Sequence, residues 1–282
     1  MTESCQVCGG GDFRDYVVRE DGHFRQCRGC GLIVNARSEE AVTEAQGVYD
    51  GPELMLRPDR RFNHKVRTAR GRLDLIAGYQ PTGRLLDVGC GNCAMLVAAR
   101  AAGYEAIGVD VGAYPVQRGR ELGLEVQHGT LAGTGFADES FDVVTLWSVL
   151  EHMPRSADGL AEVYRILKPG GVMGLMVPNG EYLRAELFRG THRYYGRLGR
   201  QLHFVYHNPR TIRRTVKDAG FELLPAHGLR RGAFRRGVLP TAAEVVAVPV
   251  RTVFNLLRDA ARWRQDIVLY AQKPTGAGRE PS

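Results

Sequence analysis

The feature that most restricts the fold of this chain is an alternation of short apolar runs with helical patterns over residues 83–178. Apolar runs of this length are typical of parallel strands that helices cover on both faces. The five runs are RLLDVG (84–89), EAIGVD (105–110), LEVQHG (124–129), FDVVTLW (141–147) and VMGLMVP (172–178). This pattern predicts an α/β, doubly wound fold around a mostly parallel sheet.

The helices between these strands are predicted at 94–102, 115–122 and 154–167. The residues Lys168-Pro169-Gly170-Gly171 should end the third helix sharply, because proline cannot continue a helix and glycine accepts the turn. Beyond the fifth strand, a helix at 209–219 and strands at 221–225 and 266–274 are expected to complete the sheet.

A glycine-rich loop, Asp87-Val-Gly-Cys-Gly-Asn-Cys93, follows the first strand. Glycines let the backbone approach a ligand closely, and the amides at the start of the next helix favour an anionic group. Asp110 ends the second strand, where a carboxylate can accept hydrogen bonds from both hydroxyls of a ribose. The loop and Asp110 together predict a nucleotide-type cofactor.

Two cofactors fit this pattern. The spacing Gly89-x-Gly91-x-x-Ala94 satisfies the dinucleotide fingerprint, which predicts NAD. Asp87 favours S-adenosylmethionine instead, because a carboxylate here would repel a pyrophosphate but suits the ammonium group of methionine. Cys90 and Cys93 also have the spacing of a thioredoxin-type redox pair, but their position inside the loop argues against redox chemistry.

Six segments occur in the order seen in class I S-adenosylmethionine-dependent methyltransferases: LLDVGCGN, Asp110, ADESFDVV, LEHMP, ILKPGG and VPN. The chain resembles this family over about residues 83–225 and 266–274. The resemblance implies a seven-stranded sheet of order 3-2-1-4-5-7-6 with the last strand antiparallel. It also implies a cofactor site made of Asp87, Gly89, Cys90, Gly91, Asp110, Val111, Thr130, Leu131 and Trp147.

The same resemblance distributes these residues over the cofactor. The two glycines of the loop would line the amino-acid end, Asp110 the ribose, and Thr130 and Leu131 the adenine. Two positions depart from the family pattern: Cys93 stands where many relatives have a third glycine, and Thr130 where many have Asp.

Four of the six cysteines lie near the N-terminus as Cys5-x2-Cys8-x18-Cys27-x2-Cys30. Two Cys-x2-Cys pairs separated by this span predict a zinc ribbon, in which four thiolates hold a structural Zn²⁺ with no open position for catalysis. Disulfides and an iron–sulfur cluster are the alternatives. So short a segment cannot bury enough apolar surface to fold alone, so the metal would supply folding free energy.

The segment CRGCGLIVNARSEEA, followed by VYDG, resembles the leader of bacterial small-molecule methyltransferases, including sugar C-methyltransferases. Ribosomal RNA methyltransferases with an N-terminal ribbon also exist, with a shorter and differently composed second metal-binding half. The ribbon therefore supports a methyltransferase without selecting its substrate.

Charge and composition add little about partners. The net charge of +7 suggests an anionic partner, but arginine outnumbers lysine 34 to 4, a bias typical of a GC-rich genome. No segment has the roughly 18 apolar residues of a membrane span, and MTESCQVCGG lacks a signal sequence. We therefore expect a cytoplasmic protein with reduced cysteines.

We expect four regions: a zinc ribbon (1–35), a connector with a helix from Asn63 to Ala77 (36–80), a methyltransferase domain (81–274) and a disordered tail (275–282). The domain contains an insertion, 226–265, that combines arginines with an apolar run. A lid or a dimer contact is favoured for it, and peripheral membrane contact through 227–265 is the alternative. The oligomeric state is left open.

The best candidate for catalysis is His152, in the sequence Trp-Ser-Val-Leu-Glu-His after the fourth strand. Its ordinary pKa near neutrality suits a general base, although the LEH sequence is common in the family and a structural role is the alternative. Asn179 is a candidate for binding the substrate. The segment carrying Tyr194, Tyr195, His203 and His207 should contribute to the acceptor pocket.

The sequence thus predicts methyl transfer to O, N or C of a small molecule such as a saccharide, a nucleotide sugar or a secondary metabolite. An RNA methyltransferase that grips RNA with its ribbon is the alternative. Charge for that role would come from Arg14, Arg19, Arg25, Arg28 and Arg37, and stacking rings from Phe13, Tyr16 and Phe24. A non-catalytic binding module is disfavoured by the intact cofactor loop.

Overall fold

The computed structural model describes residues 4–19, 22–46, 61–182, 203–225 and 266–276. A small sheet contains strands β1 (Phe13–Arg19), β2 (Gly22–Cys27), β3 (Ile33–Asn35) and β9 (Val205–Tyr206). A seven-stranded sheet contains β4 (Arg84–Val88), β5 (Glu105–Asp110), β6 (Glu125–His128), β7 (Phe141–Trp147), β8 (Leu167–Pro178), β10 (Glu222–Leu223) and β11 (Asp266–Gln272). The helices are α1 (Glu39–Gln46), α2 (Phe62–Ala77), α3 (Ala94–Ala101), α4 (Ala113–Glu121), α5 (Ser156–Ile166) and α6 (Pro209–Asp218).

The strand order of the large sheet is β6-β5-β4-β7-β8-β11-β10. The first five of these are parallel, and β11 is antiparallel to both of its neighbours. Counted along the domain, this is the order 3-2-1-4-5-7-6 with an antiparallel last strand, so the fold prediction is confirmed. Strand order reverses between β4 and β7, and open α/β sheets bind ligands at the carboxyl end of such a switch point.

Apolar side chains cover both faces of the large sheet. Adjacent residues Leu85 and Leu86 of β4 are fully buried in two different clusters, as the alternation of a strand requires. One cluster includes Leu160 and Val163 of α5, and the other includes α2 and α3. Helix α2 buries the side chains that the sequence pattern placed on its inner face: Val66, Ala69, Leu73 and Ile76.

Strand β8 begins earlier than the sequence pattern indicated. Helix α5 ends at Ile166 as expected, but the strand starts at Leu167 and includes the Lys-Pro-Gly-Gly segment that was predicted as a turn. The pairing with β7 shifts there, from Phe141 opposite Leu167 to Val143 opposite Val172. Strand β8 has extra residues at this irregularity, where Lys168 Nζ lies 2.8 Å from Asp142 Oδ1.

The small sheet is antiparallel and takes its fourth strand from the far end of the chain. Strand β3 pairs with β9, with Ile33 opposite Tyr206 and Val34 opposite Val205. The predicted ribbon, residues 1–35, therefore gains a fourth strand, β9, from the part of the chain after β8. This pairing attaches the small sheet to the part of the chain that forms the large sheet.

Three other predictions fall wholly or partly outside the described residues. The insertion 226–265 lies outside them, as do Tyr194 and Tyr195, and of the tail only residues 275 and 276 are described. Within the described part of the chain, no helix is long and apolar enough to cross a membrane.

Candidate active site

The loop between β4 and α3 leaves room for a ligand against its backbone. Gly89 has φ 66°, and a Cβ there would lie 2.7 Å from Val149 Cγ2, so only glycine fits. A Cβ at Gly91 would meet nothing closer than a backbone oxygen at 3.9 Å, so this side of the loop is open. Cys93, at the place where many relatives have a third glycine, has a left-handed φ of 64° and is the N-cap residue of α3.

Asp110 closes this loop at the end of β5. Its Oδ2 accepts from Gly91 N at 2.9 Å, and its Oδ1 accepts from Gly112 N at 2.9 Å. Each carboxylate oxygen keeps a second lone pair for a ligand hydroxyl. The next side chain, Val111, is 50% exposed and offers an apolar surface beside the carboxylate. The carboxylate thus keeps the capacity to accept the ribose hydroxyls that the sequence analysis assigned to it.

Asp87 lies beneath the loop and is buried. Thr145 Oγ1 donates a hydrogen bond to Asp87 Oδ1 at 2.6 Å. Burial raises the pKa of Asp87 to about 7, although the bond from Thr145 opposes this shift. A cationic ligand would stabilise the ionised carboxylate, which agrees with a role at the ammonium end of the cofactor.

The sequence analysis missed a second charged group at this edge, Arg72 of α2. The Arg72 Cζ lies 4.1 Å from the centroid of the Trp147 ring, and Nη2 lies 3.0 Å from Met176 Sδ. No carboxylate in the described part of the chain forms an ion pair with this half-buried guanidinium, and burial lowers its pKa. Trp147 Nε1 is also buried, with no partner among the described residues. These two donors suit an anionic group of a ligand near Asp87.

Three other predicted cofactor residues have side chains that are buried or hydrogen-bonded within the protein. Leu131 is buried in the core, and Thr130 Oγ1 accepts from Gly133 N at 3.1 Å, which caps a short 3-10 turn. Cys90 is buried, and its Cys93 neighbour and burial raise the pKa of its thiol. A protonated, buried thiol is a poor nucleophile, so the structure gives no support to redox chemistry at this pair. The adenine assignment stays a prediction.

His152 lies in the 3-10 turn Leu150–His152 that follows β7. Ser148 takes a positive φ of 62° to lead the chain into this turn. One donor atom each of Glu151, His152 and His203 lies within 4.8 Å of the others, a spacing that would also let them bind one metal ion. The rings of His152 and His203 meet edge to face, with centroids 4.6 Å apart. His203 comes from the segment before β9, so residues far apart in the sequence form one polar cluster.

Glu151 and His203 are both taken out of water in this cluster. Burial raises the pKa of Glu151 to about 8. Burial, and then the neighbouring His152, lower the pKa of His203 to about 3. Glu151 Oε2 and His203 Nδ1 are buried without hydrogen-bond partners among the described residues. Buried polar atoms without partners are uncommon, so these two atoms could bind a ligand.

Asn179 and His207, which were candidates for the acceptor pocket, are buried. Asn179 Oδ1 accepts from Glu181 N at 3.0 Å. His207 Nε2 lies 3.1 Å from Ser156 Oγ, and its Nδ1 lies 3.3 Å from Thr211 Oγ1. With both ring nitrogens next to hydroxyl groups, His207 has a structural environment.

Acidification should therefore destabilise the fold through His207. Burial lowers the pKa of His207 from 6.5 to about 4, so on acidification the unfolded chain takes up this proton first. The contribution of neutral His207 to the free energy of unfolding is fully present above pH 6.5 and is lost as the pH falls towards 4. At pH 5 about 2 kcal/mol of it is lost. Thermal melts between pH 7.5 and 5 should show a shallower decline for His207→Gln than for the wild type. Equal slopes would contradict this assignment.

The four N-terminal cysteines converge at the base of the small sheet. Their Sγ atoms all lie within 4.8 Å of one another, and Cys5–Cys30 and Cys8–Cys27 are each 3.5 Å apart. Four sulfurs this close without disulfides are the donor set that a tetrahedral metal needs. The arrangement fits the predicted zinc ribbon.

Comparisons with known proteins agree with the predicted fold and family. Over 165 residues the chain is 30% identical to a ubiquinone biosynthesis O-methyltransferase from Methylococcus capsulatus, which covers 52% of the chain and 66% of that relative. It is 35% identical over 153 residues to 24-methylenesterol C-methyltransferase 2 from Oryza sativa, and the match covers 51% of the chain and 40% of that relative. The chain thus spans less than two thirds of the length of these relatives. A crystal structure of an S-adenosylmethionine-dependent methyltransferase from Archaeoglobus fulgidus shares the fold, with a TM-score of 0.53 and 20% identity. The match covers 74% of this chain and 94% of that structure.

The fold and the cofactor loop define a class I S-adenosylmethionine-dependent methyltransferase. The methyltransferase domain family matches residues 60–226, more than half of the chain, and the protein belongs to this family.

Proposed function

We propose that the protein transfers the methyl group of S-adenosylmethionine to an O, N or C atom of a small molecule, such as a saccharide, a nucleotide sugar or a secondary metabolite. The names of the curated relatives, a quinone-pathway O-methyltransferase and a sterol C-methyltransferase, support small acceptors without selecting one.

The cluster of Glu151, His152 and His203 is the observation that carries this proposal. It lies at the carboxyl end of β7, and Val149, three residues before His152, packs against Gly89 of the cofactor loop. Glu151 is buried and the two histidines are half-buried, which supports a small acceptor at this cluster. Enclosure excludes water and strengthens the electrostatic interactions of the reacting groups.

When bound, S-adenosylmethionine supplies an electrophilic methyl group. The residues of the chain then have three tasks: to hold the cofactor, to orient the acceptor and to receive the proton of its nucleophile. His152 is the proposed proton acceptor. His203 does not compete for that proton, since burial holds its pKa at about 3.

The ribbon gives less support to RNA as the substrate. Of the three rings proposed to stack on bases, Phe24 and Tyr16 are buried in the sheet. Arg14 donates to Gln26 Oε1 at 2.6 Å, and Arg28 Nε lies 3.3 Å from Asp12 Oδ1. RNA binding without base specificity relies on accessible rings and free basic groups.

Transfer of a labelled methyl group to fractions of a cell extract tests the function. Label in the small-molecule fraction is expected. Label only in RNA, together with sequence-selective RNA binding that persists above about 200 mM salt, would favour the RNA alternative, because non-specific phosphate contacts weaken steeply with salt.

We further propose that Cys5, Cys8, Cys27 and Cys30 hold one structural Zn²⁺ per chain. The closeness of the four sulfurs supports this, since thiolates are the preferred ligands of structural zinc. A site with four protein ligands has no position for substrate, so the ion would act on the fold.

Asp110→Ala should weaken the binding of S-adenosylmethionine and of its demethylated product. Removing a carboxylate that accepts ribose hydroxyls costs about 1.5–3 kcal/mol, or roughly 10- to 150-fold in Kd. Calorimetry measures the loss, and Asp158→Ala, at an exposed carboxylate on α5, is the matched control with unchanged affinity. Tight binding of NADH without binding of S-adenosylmethionine would contradict the cofactor assignment.

A further inference from the structure

We propose that Asn35, a residue of the cysteine ribbon, is a positioning residue of the acceptor site, because it fixes the backbone of His203 against His152. This inference rests on the proposed function, in which His152 receives the proton of the acceptor.

Asn35 holds the His203 segment with two hydrogen bonds. Its backbone N donates to Phe204 O at 2.8 Å, and its side-chain Nδ2 donates to His203 O at 3.1 Å. Asn35 Oδ1 accepts from Arg37 N at 3.0 Å, which orients the amide so that its NH₂ group faces His203. Thus one residue of the ribbon binds two consecutive carbonyl groups of the segment.

The other side of the same segment is bound to the turn that carries His152. Phe204 N donates to Glu151 O at 2.8 Å, and Glu151 directly precedes His152. The peptide of His203 and Phe204 therefore lies between Asn35 and the His152 turn. A continuous series of hydrogen bonds joins the ribbon to the candidate base.

This backbone placement decides where the His203 ring lies. Its centroid is 4.6 Å from that of His152, nearly perpendicular to it, and 5.0 Å from that of Tyr206. Packed between two rings, His203 restricts the rotation of the His152 ring. It is also neutral, since burial and His152 lower its pKa to about 3, so it adds no repulsion when His152 takes up a proton.

The ribbon stays attached to the domain without the Asn35 side chain. The pairing of β3 with β9 uses backbone atoms, and Asn208 Nδ2 donates to Cys30 O at 2.9 Å. Substitutions of Asn35 should therefore alter the position of His203 while the ribbon stays folded.

Two variants and a matched control test the inference. Asn35→Ala removes both side-chain bonds, whereas Asn35→Asp keeps an acceptor for Arg37 but loses the donor to His203 O. Asp15→Asn is the control, because it exchanges the same two residue types on β1, the opposite edge of the same sheet, where Asp15 Oδ1 lies 2.7 Å from His23 Nε2.

Both Asn35 variants should lower kcat about tenfold, because both lose the hydrogen bond from Asn35 Nδ2 to His203 O. A change of this size corresponds to the net contribution of one hydrogen bond. In both Asn35 variants, zinc content and the Kd for S-adenosylmethionine should match those of the wild type. Asp15→Asn should match the wild type in kcat, zinc content and Kd. Asn35→Asp should also move the acidic limb of the kcat profile to higher pH, since a nearby negative charge favours the protonated histidine. Asn35→Ala adds no charge and should leave that limb in place.

A readout independent of activity separates this inference from the proposed function. In ¹⁵N-histidine NMR spectra, the ring signals of His152 and His203 should shift in both Asn35 variants and stay unchanged in Asp15→Asn. These shifts would support the positioning role even if His152→Ala retained turnover and the proposed base were wrong. Unchanged ring signals would overturn the inference, as would a kcat within twofold of the control in a protein whose His152→Ala variant loses turnover. If Asn35→Ala loses zinc, the same criteria apply to Asn35→Asp.

Discussion

Cys27→Ser will release the metal from the ribbon and unfold the segment around the cysteines. The apolar cluster around the cysteines is small and consists of Val7 and Leu32 with the cysteines themselves, flanked by a few half-buried side chains. Structural zinc contributes about 10–16 kcal/mol to the folding of comparable short segments, far more than this cluster can supply. We expect one zinc per chain in the wild type and a loss of most of it in Cys27→Ser.

Elemental analysis measures the metal, and the amide resonances of β1–β3 report on the ribbon fold. Cys93→Ser makes the same exchange at a buried cysteine outside the ribbon and should leave the zinc content unchanged. Unchanged zinc in Cys27→Ser, or stoichiometric iron in the wild type, would contradict the assignment. A second metal equivalent that Cys27→Ser retains would direct attention to Glu151, His152 and His203, which could hold an ion of their own.

The large sheet could be predicted because its signals are local. Each strand is an apolar run of a few residues, and helix α2 shows its buried face through the spacing of Val66, Ala69, Leu73 and Ile76. The pattern of apolar side chains that each element buries can be seen within its own segment. The order of the strands came from the resemblance to a family, since periodicity alone does not define which strands are neighbours.

The elements that were missed depend on contacts between distant parts of the chain. Strand β9 has two residues, and its partner β3 lies about 170 positions earlier, so no local pattern indicates it. Arg72 belongs to a helix whose pattern places it beside the buried face, and only Trp147 from β7 shows why the guanidinium is held there. The available signal for β9 in the sequence was the apolar run Phe204, Val205 and Tyr206. All three side chains are buried in the structure.

The same distinction applies to the active site. The cofactor loop is a contiguous motif, and the structure brings Gly91 and Asp110 together as that motif required. The proposed acceptor side combines Glu151 and His152 with His203 from a later segment. The chemistry of His152 could be proposed from its sequence context, but its partner could not be identified before the fold placed the two rings in contact.

His152→Ala should lower turnover by about 10²- to 10⁴-fold, the range typical for loss of a general base. The affinity for S-adenosylmethionine should be nearly unchanged, because the contacts that shape the cofactor loop run from Asp110 to Gly91 and Gly112 and do not involve His152. The loss should therefore appear in kcat, as expected when a group acts in the transition state. His64→Ala, at an exposed histidine of α2, is the matched control and should retain full turnover.

The pH profile gives the decisive comparison for His152. The wild type should lose activity as the pH falls below neutrality, because a protonated imidazole cannot accept the proton of the acceptor. His203 cannot replace it, since burial and the neighbouring His152 lower the pKa of His203 to about 3. His152→Ala should lack this acidic limb. If its turnover stays within tenfold of the wild type and the limb persists, proximity to the cofactor suffices for an acceptor that is already nucleophilic, and His152 is a structural residue of its turn.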